Sequence, residues 1–179
     1  MSVRAADSGV HRVTARGQLQ PLASSGMSYT IVDLILFEPL FDPSMRNGTA
    51  YFELHPNELP AENACWLPGS LFLRDAAFDF FAECFHGASD TFDYFSFVRF
   101  GANEIGRLLD ELTAYLGSLS AGPSREQLFA KYVSIFGADI WSGVATQPLA
   151  EAVLGAGNNL REFVESKTKD SECLWILGM

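Results

Sequence analysis

Asp75, Asp79 and Glu83 stand at i, i+4 and i+8, a spacing that puts three carboxylates on one face of a helix. Asp90 and Asp93 follow shortly after. Paired carboxylates perform general acid–base work in glycosidases. A solvated helix face gives the same pattern with no chemistry, and does so far more often. Like charges four residues apart repel by roughly a few tenths of a kcal/mol, so the stripe favours a role in meeting a cationic partner. The run Phe92-Asp93-Tyr94-Phe95-Ser96-Phe97 sets aromatic rings beside acids. It reads either as a core strand or as an interface rim with aromatic anchors. The candidate partner-binding residues are therefore Asp75, Asp79, Glu83, Asp90 and Asp93, with Phe92 and Tyr94 as anchors.

Other chemistry-bearing residues lack the context that their chemistry needs. The histidines are His11, His55 and His86, and none has a His, Cys or acidic partner at a metal-binding spacing. Cys84 and His86 are two apart, positions that diverge on a helix. No metal and no cofactor is expected. Gly155-Ala156-Gly157-Asn158-Asn159-Leu160 begins like a dinucleotide-binding fingerprint. It lacks the third glycine and follows a helical pattern rather than a strand, so a helix break is the better account. There is no P-loop, nucleophile elbow or zincin motif. Neither Ser70 nor Ser142 has the surroundings of a nucleophile, and no catalytic residue is assigned.

Charge narrows the partners. The formal charge is −10. Residues 1–26 hold Arg4, Arg12 and Arg16 against Asp7, a net of +2, which leaves −12 for the remainder. So acidic a body repels phosphate backbones and anionic lipid heads. A basic protein is the partner that its field would steer in. Cys65, Cys84 and Cys173 are odd in number and far apart, as in reduced cytoplasmic proteins. No apolar run reaches membrane-spanning length. Residues 1–26 have no secretory hydrophobic region. Their Arg, Ser and scarcity of acids resemble a transit peptide faintly. A disordered leader, or a gene start placed too early, is preferred, because the apolar pattern begins after Met27.

The elements that must position these residues read as one α+β domain over residues 27–179, a size at which a chain buries roughly 70% of its unfolded surface. The 15 Phe imply an aromatic core, or rings lining a pocket or interface. Tyr29 to Phe37 reads as a first strand, paired as a hairpin with Thr49 to Leu54. The proline-containing stretch from His55 to Gly69 is loop, with Cys65-Trp66-Leu67 capping the core. Leu71 to Leu73 adds a short strand. Arg74 to His86 reads as a helix stopped by Gly87, and Phe92 to Phe100 as a strand. Asn103 to Leu119 is the clearest helix, with an apolar stripe centred on Leu109 and Leu112. Ser124 caps a helix reaching about Phe136. Pro148 to Lys167 is helical, weakened by Gly155 and Gly157 and divisible into two. Cys173 to Leu177 is a strand placed inside the sheet or at a pairing edge, where it offers a homodimer contact. The expected architecture is a mainly antiparallel sheet against about four helices.

The order Trp66-Leu67-Pro68, a Phe-rich helix, Phe92-Asp93-Tyr94-Phe95, then Glu104-Ile105 leading a helix with Asp110-Glu111-Leu112 resembles the small cytosolic immunity proteins of bacterial polymorphic toxin systems. The resemblance covers roughly Leu71 to Leu119. It implies a cognate toxin domain held by electrostatics and shape, and transfers no site residue. The expectation is an immunity-like protein that neutralises a basic toxin domain. The alternative is an enzyme or small-ligand-binding protein with an aromatic-lined pocket.

Overall fold

The computed structural model describes residues 11–13, 19–21, 31–62, 64–133, 141–169 and 171–178. Its centre is a four-stranded antiparallel sheet in the order β4-β3-β6-β5, built from β3 (Tyr51–His55), β4 (Leu71–Arg74), β5 (Phe97–Gly101) and β6 (Cys173–Leu177). Two short strands, β1 (His11–Val13) and β2 (Leu19–Pro21), pair only with each other in sheet terms. The helices are α1 (Asp75–Phe78), α2 (Ala82–Ala88), α3 (Ala102–Leu119), α4 (Arg125–Leu128) and α5 (Thr146–Lys167). The chain is a single α+β domain with a mainly antiparallel sheet, as expected. Most of the expected disordered leader falls outside the described residues.

Strand pleating separates the two faces of the sheet. Phe52, Leu54, Leu71, Leu73, Val98, Phe100, Leu174 and Ile176 join the helices in one hydrophobic core. Glu53, His55, Phe72, Phe97, Arg99 and Trp175 alternate with them and belong to the opposite face. That second face is covered by the connection between β3 and β4. The C-terminal strand lies inside the sheet, with β3 on one side and β5 on the other. Both of its edges are occupied, so it has none to offer a second copy.

Four elements differ from the sequence reading. Ile31–Phe37 is a 3-10 helix rather than a strand, and Tyr29 and Thr30 lie outside the described residues. An apolar run interrupted only by Asp33 carries too little period to separate the two. Here Phe37 turns inward onto Phe80 and Trp141, at 5.5 and 5.4 Å. Only Leu40, beyond the proline, reaches the sheet, where it exchanges backbone hydrogen bonds with Phe72. β3 therefore pairs with β4 and β6, not with an earlier strand.

The expected helix over Arg74 to His86 is broken into α1 and α2. Residues 77–82 are buried one after another, which a straight amphipathic helix cannot achieve. The break sends Phe78 down to stack on Phe52 at 3.7 Å and Phe80 across to Phe129, Tyr132 and Trp141. Gly87 lies inside α2, which ends at Ala88. β5 starts at Phe97, later than read.

The helix capped by Ser124 ends at Leu128, and residues 134–140 lie outside the described ones. Its cap is as expected, with Ser124 Oγ accepting from Gln127 N. α3 is the amphipathic helix that the stripe implied, with Leu108 and Leu112 fully buried and Leu109 partly so. α5 is one continuous helix. A Cβ at Gly157 would sit 2.4 Å from Leu116 Cδ2 and 2.9 Å from Phe81. The glycine is thus required by the close approach of α5 to α3 and does not break the helix.

Candidate functional site

The break between α1 and α2 also scatters the acidic stripe. Asp79 is buried at 3% exposure and accepts the Tyr94 hydroxyl proton in a short hydrogen bond. Burial, then the nearby Asp79 carboxylate, pushes the Tyr94 phenol well above its ordinary pKa, and Asp75 adds to the effect. Asp75 folds back on its own helix, taking Ala76 N–H at 2.7 Å. Glu83 lies by Lys131, which is paired with Glu111 at 2.9 Å. Asp75, Asp79 and Tyr94 therefore come together, while Glu83 belongs to a different charge group.

Phe92 is not an anchor for a partner. It is 5% exposed and packs on Phe78, Phe85, Phe100 and His86. The exposed ring is Phe95, at 61%. Asp93 places it. One carboxylate oxygen accepts Phe95 N–H at 3.1 Å and the other accepts Ser96 Oγ at 2.5 Å. These bonds hold the Asp93 carboxyl below its ordinary pKa, with His86 contributing. The Tyr94 ring braces Phe95 edge-on at 5.1 Å. Asp90 is exposed on the preceding turn, close to Arg107, which donates to Ala88 O at 2.7 Å. The result is an apolar ring held out from a fixed turn, with the Asp93 carboxylate beside it. The signal for Phe95 was in the sequence: an aspartate two residues ahead of it is an Asx-turn pattern.

A second polar cluster lies under the β3–β4 connection and was missed entirely. Glu53, 1% exposed, accepts Trp66 N–H at 2.5 Å, Leu67 N–H at 2.7 Å and the Ser70 hydroxyl at 2.7 Å. Trp66 takes a left-handed backbone, φ +63, which turns successive N–H groups toward one acceptor. Ser70 Oγ lies 2.9 Å from His55 Nδ1. Because the serine proton goes to Glu53, His55 Nδ1 must be the donor in that pair. Serine here bridges histidine and carboxylate, whereas a nucleophilic triad needs histidine in the middle. The cluster fastens a loop. It is reinforced by the Arg46 guanidinium, which lies 3.4 Å over the Trp66 ring.

Among the described residues lie two clefts of about 360 Å³ each. One runs between Phe41, Gly69 and Ser70 on one side and Asn159, Glu162, Phe163, Ser166 and Lys167 of α5 on the other. The other lies over the second face of the sheet, among Glu58, Leu59, Ala61, Glu62, Phe97 and Trp175. All three cysteines are free, and burial pushes the Cys84 thiol up to about 12. Among the described residues no helix is long and apolar enough to cross a membrane, and no group of His, Cys, Asp and Glu has a metal-holding arrangement. The chain matches no family model, no curated protein and no solved structure.

Proposed function

We propose that the chain is a cytoplasmic, immunity-like protein that neutralises a basic toxin domain by electrostatic and shape complementarity. The observation that carries this reading is the turn at Asp93, which presents the exposed Phe95 ring next to the Asp93 carboxylate. A rigid aromatic anchor with a charged rim is the anatomy of a protein-binding hot spot. The net charge of −10 supplies the field that steers a basic partner in. Three free cysteines fit a reducing compartment.

The test is co-expression with the product of the adjacent upstream gene, followed by association kinetics at two salt concentrations. Asp90→Lys should slow association and flatten its salt dependence. Phe95→Ala should weaken binding at least about tenfold, mainly through faster dissociation. Both variants should keep the parental melting temperature. Parental kinetics and undiminished protection of cells in both variants would reject the site.

The cleft beside α5 favours a second reading, a small-ligand-binding protein. Phe41 and Phe163 supply aromatic surface there, and Asn159, Glu162, Ser166 and Lys167 supply polar groups. Protection of cells lost through Phe163→Ala but not through Phe95→Ala would favour it.

A further inference from the structure

The cleft over the second face of the sheet has a chemistry of its own. We propose that it takes a lysine or arginine side chain of the basic partner. This rests on the reading above and adds the identity of one contact.

Two rings and two carboxylates line the cleft: Phe97, Trp175, Glu58 and Glu62. The Trp175 indole is fixed, because its Nε1 donates to Glu58 at 3.2 Å. Arg99, the cross-strand neighbour of Trp175, donates to the same carboxylate at 2.9 and 2.6 Å. Glu58 is thereby matched by Arg99. Glu62 has no ion pair among the described residues, so one negative charge is in excess. A cation entering here meets the Glu62 carboxylate in a lining shared with Phe97 and the preoriented Trp175, a combination of groups that suits ammonium and guanidinium ions. The chain already makes such a contact internally, where Arg46 covers Trp66.

Position argues for a side chain from a protein rather than a free small cation. Phe97 stands only two residues beyond the exposed Phe95 in the chain, which keeps the cleft near the Asp93 turn. β5, which carries Phe97, is also an edge strand of the sheet.

The experiment follows the tryptophan indole N–H resonances of the full chain by NMR, with Trp175 assigned through Trp175→Phe. The probes are tri-arginine, tri-lysine, tetramethylammonium and tri-glutamate. Tri-arginine or tri-lysine should shift the Trp175 signal saturably and leave that of buried Trp141 unmoved. Glu62→Gln should raise the apparent Kd at least fivefold, and Phe97→Leu at least threefold. An unsaturable shift, an unchanged Kd in Glu62→Gln, or an equal response to tri-glutamate would overturn the proposal. Tighter binding of tetramethylammonium than of either peptide would overturn it too, in favour of a free quaternary ammonium. Loss of the Phe95 effect on partner binding with this titration intact would sink the functional reading alone. The reverse result would sink only the cation cleft.

Discussion

Ser70 Oγ gives its proton to Glu53 and takes one from His55, so two side chains of β3 and one from the loop ahead of β4 share a single buried network. Its behaviour with pH follows from His55, which is 7% exposed. Burial lowers its pKa below the ordinary 6.5, and the nearby Glu53 charge only partly opposes this. In the window below about 6.5 the unfolded chain therefore holds more protons than the folded one. Stability must fall as pH drops through that window, and the fall ends once the folded His55 is itself protonated. Urea midpoints between pH 7.5 and 5 should show this decline in the parent protein and lack that part of it in His55→Gln. Each tenfold change in the proton affinity of His55 contributes about 1.4 kcal/mol. Equal slopes in the two proteins would refute the assignment. None of this was legible in the sequence, because positions 53, 55 and 70 meet only through strand pairing and a left-handed residue in the loop.

At the scale of elements, α5 sets two glycines two residues apart in opposite surroundings. A Cβ at Gly155 meets nothing within 4 Å. Gly155→Ala should stabilise the protein by about 0.5–1 kcal/mol, the helix-propensity difference. Gly157→Ala gains the same propensity but drives a methyl into Leu116 and Phe81. It should destabilise by about 1–3 kcal/mol, the usual range for overpacking. Denaturant midpoints of the two variants will move in opposite directions if α5 crosses α3 as described. α3 itself was plain in the sequence, since a long amphipathic helix carries its own period. α1 and α2 were not: four phenylalanines between positions 78 and 85 all find apolar surroundings, and only a break in the helix lets them point several ways at once.

For the whole molecule, the decisive feature is that the last strand closes the sheet from the inside. β6 connects β3 to β5, so without it the sheet is two separate pieces. A chain ending at residue 172 should show no cooperative unfolding transition by circular dichroism. Removal of residues 1–26 should move the melting temperature by less than about 2 °C. That segment contains none of the aromatic residues, and its two short strands pair with each other, an arrangement of marginal stability alone. A native-like melt in the first case, or a loss of several degrees in the second, would contradict this division of the chain.

The sequence by itself determined the α+β class, the antiparallel sheet, the long amphipathic helix, the cap at Ser124 and the acidic surplus. These are properties of periodicity, turn chemistry and composition, all of which act within a few residues or add over the chain. The tertiary structure alone decided which rings are core and which are exposed. Phe92 and Phe95 are the same residue three positions apart. One fills the space left by Phe78, Phe85 and Phe100, and the other is turned outward by Asp93. It also decided that Asp79 is buried under Tyr94 while Asp90 and Asp93 face water, because a helix break at residues 79–81 replaces one continuous face with several. Side-chain type fixes what a residue can do; only the packing of distant elements against it fixes whether a partner can reach it.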